Sequence, residues 1–234
     1  MTDTKVAEAG ETRGGQPAHN PWLDWASRAT IVVVFSALAF INLAGIPRQL
    51  PLDSIHKVLT LAAIIANVMF LSLIASTALT RLAPIGKAKG LEPRISALLG
   101  TFLLTGLALL PKANLGPVLS SISTILILVG ASLSFLVLRW LGKSFSIMAE
   151  ARRLVVAGPY RIVRHPLYLC EGLAILGVML QVISPWAVLA GFAIAMIQYR
   201  RMLNEEAILN SAFPEYRDYA ARTPRIVPVQ LFRA

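Results

Sequence analysis

Apolar and polar residues alternate along this chain in long blocks. Four apolar runs fill its first part: about residues 29–46 (ATIVVVFSALAFINLAGI), 56–79 (HKVLTLAAIIANVMFLSLIASTAL), 95–110 (ISALLGTFLLTGLALL) and 117–138 (PVLSSISTILILVGASLSFLVL). Each is close to the roughly 17–25 residues a helix needs to cross a bilayer, the third being the shortest. A longer apolar region, 167–199, is interrupted at Ser184-Pro185. Proline lacks a backbone donor and disfavours helix in the residue before it. The pattern therefore predicts a tight helical hairpin, Leu167–Ile183 followed by Trp186–Tyr199, with a second arm short for a full crossing. Residues 1–28 are polar and predict a disordered lead-in. They lack the basic-then-apolar order of a cleaved signal peptide.

Charge orients these segments. All of the 22 Lys and Arg residues except Arg48, Lys57 and Lys112 fall in the N-terminus, the 81–94 loop, the 139–166 segment or the tail from Arg200. Basic residues collect in cytoplasmic loops, which predicts both termini in the cytoplasm and an even number of crossings, six if the hairpin spans fully. The net charge of +10 follows this topology, so no nucleic-acid partner is expected. At 56% hydrophobic, the composition excludes an ordinary soluble domain. One cysteine, Cys170, excludes an internal disulfide, and His19, His56 and His165 have no zinc-like spacing, so no metal is expected. The expected fold class is all-α: a polytopic membrane helix bundle of about five to six transmembrane helices ending in the hairpin. Residues 29–138 form four of them. The short outer loops leave the 139–234 region to carry chemistry. A bacterial inner membrane is favoured over endoplasmic reticulum, because the chain is short and has no retention signal.

Three stretches hold candidate chemistry. In Gly158-Pro159-Tyr160-Arg161-Ile162-Val163-Arg164-His165-Pro166-Leu167-Tyr168, Pro166 suits the first turn of a helix, with His165 at its cap. Free N–H groups there attract anions, and Tyr160 and Tyr168 offer rings to a cationic ligand. An interfacial anchor explains the same residues. Glu171 sits one turn inside the apolar hairpin, where an ionisable group is costly and points to function; facing the headgroups or pairing with Arg164 is the alternative. Arg201 and Glu205 are four apart and share a helix face. They suit either a pocket overhanging the bilayer or a surface ion pair of little worth. The Phe213-Pro214-Glu215-Tyr216 and Thr223-Pro224-Arg225 stretches suit an amphipathic scaffold on the membrane surface. No GxGxxG and no Walker motif occurs, so a Rossmann nucleotide site is unsupported.

Together these residues resemble a family. Gly142-Lys143-Ser144-Phe145-Ser146, Leu154-Val155, Gly158-Pro159-Tyr160, Arg164-His165-Pro166-Leu167-Tyr168, Arg201 with Glu205-Glu206, and Phe213-Pro214-Glu215-Tyr216 with Tyr219 and Pro224 look like the isoprenylcysteine carboxyl methyltransferase family, which groups with integral membrane phospholipid methyltransferases. The resemblance covers roughly residues 139–228. It implies S-adenosyl-L-methionine as cofactor, bound in a cytoplasmic pocket without a Rossmann domain. It implies that Leu154, Val155, Tyr160, His165, Pro166, Leu167, Tyr168, Glu205 and, more weakly, Glu206 bind the cofactor. Arg201, with Glu171, would bind the substrate, and Arg201 and Glu205 are the catalytic candidates. Arg152 departs from the pattern, since eukaryotic members often carry His there. The implied reaction methylates a lipid-like acceptor entering from the bilayer. Carboxyl O-methylation of a prenylcysteine-type acid is favoured, and N-methylation of an aminophospholipid headgroup is the alternative. A carboxylate is already a nucleophile, whereas an ammonium needs a base such as Glu205, Glu171 or His165. From other classes, a small transporter predicts broken helices or mid-membrane charges, and a scaffold binding anionic membrane lipids would use the basic face alone.

Overall fold

The computed structural model describes residues 21–108 and 110–227. Seven α-helices account for most of them: α1 Pro21–Leu43, α2 Ile55–Thr80, α3 Glu92–Ala108, α4 Pro117–Leu141, α5 Pro166–Gln181, α6 Pro185–Ala212 and α7 Tyr216–Arg222. The helix starts follow from local chemistry. Ser54 accepts a hydrogen bond from the Lys57 N–H at 3.3 Å, and Ser184 accepts one from the Ala187 N–H at 3.1 Å. Pro117, Pro166 and Pro185 open α4, α5 and α6, where a missing N–H costs nothing.

The fold is an all-α membrane helix bundle. Three stretches are long and apolar enough to cross a membrane, Asp24–Gln49, Ile55–Thr80 and Pro117–Ser144, and Pro166–Gln181 is a shorter apolar helix. Helix α3 has 17 residues, and only the first part of the 28-residue α6 is apolar. Large apolar side chains such as Phe40, Val118, Val188 and Phe192 face outward, as expected where lipid is the solvent. A two-residue antiparallel ladder is the one piece of β-structure among the described residues. It pairs β1 (Gly86–Lys87) with β2 (Glu150–Ala151) and fastens the α2–α3 loop to the segment after α4.

Packing follows chain order only in part. Helices α1, α2, α4 and α5 pack in series, and α6 packs chiefly on α3. The α4–α5 contact is close because Gly130 has no side chain; a Cβ there would lie 2.6 Å from the Ala174 nitrogen. Ser123 reinforces it by donating to the Gly177 carbonyl at 2.8 Å. The expected tight hairpin is thus open. Helices α5 and α6 meet near their turn, where Val182, Ala187 and Ile194 share a buried cluster with Leu107 of α3. Further along they are bridged by long polar side chains, leaving a cavity between them.

The N-terminal boundary also differs from expectation. Residues 21–28 are helical, the start of α1. Asp24 explains this: it pairs with Arg28 one turn on at 2.8 Å and with Arg81 at the end of α2 at 3.0 Å. Arg28 in turn donates to the Leu79 carbonyl at 2.8 Å. The lead-in expected for residues 1–20 lies outside the described residues.

Candidate active site

Where α5 and α6 are held apart, a cavity of about 390 Å³ opens, lined by residues from α1 through α7. Its charged end lies at the basic face. Leu154, Val155, Tyr160, His165, Leu167, Tyr168, Glu171, Arg201 and Glu205 all line it. From there it runs inward between Phe35 and Leu38 of α1, Phe70 and Ile74 of α2, Phe102 of α3 and Ile127 of α4. One space therefore joins a cluster of ionisable groups to a mainly apolar inner part, which Asn42 and Asn67 also line.

Side chains from α5 and α6 meet in rungs across the charged end. Gln198 donates from its amide nitrogen to Glu171 Oε2 at 3.2 Å. The Tyr168 hydroxyl donates to Glu205 Oε1. His165 Nε2 lies 3.0 Å from Glu206 Oε1 and its Nδ1 lies 3.9 Å from Glu205 Oε2. A carboxylate only accepts, so Nε2 carries the proton. Arg201 donates to the Gln198 amide oxygen at 3.0 Å and to the Ile147 carbonyl at 3.4 Å. Its guanidinium carbon stands 5.3 Å from the centre of the Tyr168 ring, a cation–π distance.

Two residues of the expected cofactor set lie elsewhere. Pro166, opening α5, and Glu206 are absent from the cavity wall. Glu206 is turned to the other face of α6, where two arginines and a histidine meet it. Arg225 reaches it at 2.7 Å, Arg164 at 3.1 Å and His165 at 3.0 Å. Burial alone pushes its carboxyl pKa up, but the hydrogen bonds from Arg225 and His165 and the charge of Arg164 win, holding it at about 2. Glu206 thus straps the tail to the start of α5, where the Arg164 and His165 N–H groups donate to the Pro224 and Arg225 carbonyls at 2.8 and 3.1 Å. Tyr219 adds a second strap, donating to the Tyr160 carbonyl at 2.7 Å. Burial pushes the hydroxyls of Tyr160 and Tyr219 well above the usual phenol range, so both act as neutral groups.

Three wall residues were not singled out as site residues from the sequence. Gln198 lies one turn before Arg201 on α6, and that helical spacing was its available signal. Glu150 accepts from Ser146 at 2.9 Å and pairs with Arg152. The Arg152 side chain is fully buried, yet its Nε and Nη1 have no hydrogen-bond partner, nor does the Nε of Arg201. Buried donors without partners are rare and costly. The wall thus offers spare guanidinium N–H groups, carboxylates and aromatic rings together. That donor set suits a ligand carrying both a cation and a carboxylate, such as the sulfonium amino acid S-adenosylmethionine.

Residues 115–216 match the family model for phospholipid methyltransferase. Over this stretch the chain is similar to that family, which groups with the isoprenylcysteine carboxyl methyltransferases among integral membrane methyltransferases. Among curated relatives, the chain is similar to the cobalt-zinc-cadmium resistance protein CzcN of Cupriavidus metallidurans, with 45% identity over 83 residues, 34% of this chain and 38% of that protein. It is also similar to the nickel-cobalt-cadmium resistance protein NccN of Alcaligenes xylosoxydans xylosoxydans, with 41% identity over 88 residues, 36% of this chain and 41% of that protein. The matched stretches thus span about two fifths of the length of these relatives.

Proposed function

We propose that this protein is an integral membrane methyltransferase that moves a methyl group from S-adenosylmethionine to a lipid-like acceptor, and that the acceptor is a carboxylic acid carrying a prenyl-type chain. The observation that carries the reading is the continuity of the cavity: ionisable side chains in one part, a mainly apolar wall within the bundle in the other. An amphiphile with a reactive head and a long apolar chain suits such a space. The family match over residues 115–216 supports the methyl-transfer chemistry.

The cofactor supplies a methyl group made electrophilic by a sulfonium centre. Tyr160, Leu154 and Val155 would pack on it, and Glu205, His165 and Tyr168 would hold its charged part through a carboxylate, an imidazole and a ring face. Arg152, with two spare N–H donors, suits an anionic or carbonyl group. Arg201 would hold an acceptor carboxylate by parallel N–H bonds and fix its approach, and such positioning supplies much of the rate of a displacement. The proximal part of the channel would exclude water from the reacting groups. We place the basic face in the cytoplasm, on the excess of Lys and Arg there, and favour a bacterial inner membrane.

N-methylation of an aminophospholipid headgroup is the second reading, supported by the description of the matching family. It needs a group to take a proton from the ammonium, for which Glu171 and Glu205 are placed on the wall. Purified protein, methyl-labelled S-adenosylmethionine, total lipid extract and an N-acetyl-S-prenylcysteine separate the two. Label released as methanol by base supports carboxyl methylation. Label that stays in a headgroup after base treatment moves the assignment to N-methylation. No label in either fraction, with no cofactor binding, overturns the methyltransferase reading and returns the transporter and scaffold alternatives.

A further inference from the structure

Arg201, a cation, and Glu171, a carboxyl group able to neutralise it, line the same cavity. In a low-dielectric space their attraction is strong, yet among the described residues Arg201 is in no ion pair. What stands between them is the amide of Gln198. Its nitrogen donates to Glu171 Oε2 at 3.2 Å, and its oxygen accepts from Arg201 Nη1 at 3.0 Å. Gln198 is itself buried, 8% exposed, so its amide is held by these two partners. The other contacts of Arg201 are the neutral Ile147 carbonyl and the Tyr168 ring, and its Nε is buried with no partner.

The space for this arrangement comes from α3. A Cβ on Gly100 would lie 2.5 Å from Arg201 Cδ and 3.0 Å from Gln198 Oε1. Any side chain there would displace both groups. Gly100 lies outside residues 115–216, so this fit belongs to the part of the chain the family model does not match.

We infer that Gln198 is a positioning residue, with Gly100 clearing its place, that holds Arg201 apart from Glu171 and so leaves the guanidinium charge for an anionic acceptor head. The inference deepens the proposed function, since it assigns the acceptor's class at the same cavity, and it rests on that reading for the role of Arg201. A direct Arg201–Glu171 pair would neutralise the group that has to recognise an acid. The amide prevents this while satisfying one hydrogen bond on each neighbour.

Binding tests the inference without turnover. The full-length protein in lipid nanodiscs is titrated with an N-acetyl-S-prenylcysteine and with its carboxamide, without cofactor. Wild type is expected to bind the acid about tenfold or more tightly than the amide, the worth of a charge-assisted bidentate contact. Gln198→Glu, close in size, is expected to erase that preference by pairing with Arg201. Gln198→Leu is expected to weaken it by letting Glu171 reach Arg201, and adding Glu171→Gln is expected to restore it. Gly100→Ala is expected to lower it in the same direction. The rescue is the decisive outcome, because loss of packing at Gln198 is not repaired by removing a charge at Glu171. Equal binding of acid and amide by wild type, or a Gln198→Leu defect that Glu171→Gln leaves in place, overturns the inference. Acid preference without methyl transfer overturns the enzymatic reading and leaves the role of Gln198 standing. Methyl transfer to a headgroup without acid preference does the reverse.

Discussion

The two faces at the charged end of α6 hold similar residues in opposite ways. On the cavity face, Gln198 and Glu205 are each linked to α5 by a single hydrogen bond, and Arg201, stacked on the Tyr168 ring, keeps a buried donor unpaired. On the opposite face, Glu206 is met by Arg164, His165 and Arg225 together. Glu205 and Glu206 are adjacent in sequence, and a helix rotates about 100° per residue, so one carboxylate lines the cavity while the next closes a clamp. Unsatisfied groups can be completed by a ligand, whereas a saturated cluster holds the chain together.

That contrast makes ordered predictions. Glu205→Gln should lower methyl transfer by about 100-fold or more, the scale of removing a placed electrostatic group, while the thermal midpoint in detergent stays near wild type. A parallel loss of stability in that variant would erase the distinction between the faces. Glu206→Gln should act the other way, costing about 2 kcal/mol because it strands the partly buried guanidiniums of Arg164 and Arg225, read as a lower midpoint with activity per folded molecule largely kept.

Acid provides a finer test of the clamp. Glu206 has a pKa of about 2 in the folded protein against an ordinary 4.5. A depressed carboxylate contributes stability that is complete above its unfolded value and lost as pH falls toward its folded one. Wild-type stability should therefore decline from about pH 4.5 down toward 2, and Glu206→Gln should flatten that part of the profile. Smallest of all, Tyr219→Phe removes the hydrogen bond to the Tyr160 carbonyl. It should cost about 1 kcal/mol, measured as a shift of a few degrees, with a mild loss of cofactor affinity.

How much of this was readable beforehand depends on which interaction sets each feature. The helix start at Pro166 and the break at Ser184-Pro185 were legible, because proline acts locally. So was the gathering of His165, Tyr168, Arg201 and Glu205, whose residue types and spacing carried the family resemblance. The pairing of α6 with α3 was not, since chain order favours a hairpin and only side-chain fit, such as Gly100 against Arg201, selects the partner. Periodicity could not say which of Glu205 and Glu206 faced inward, because the clamp depends on Arg225, nineteen residues on. The helical start at residues 21–28 was hidden for the same reason: Asp24 is fixed by Arg81, far along the chain.

The apolar first part of α6 also acts as a ruler. It begins at a serine cap on one side of the bundle and runs unbroken to the charged face, so the number of residues between Ser184 and Arg201 sets both the depth and the direction of the guanidinium. Each inserted or deleted residue would shift it by about 1.5 Å and turn it by about 100°, moving Arg201 off the cavity wall. The stretch is therefore free to vary in which apolar side chains it shows to lipid, but not in how many residues it has.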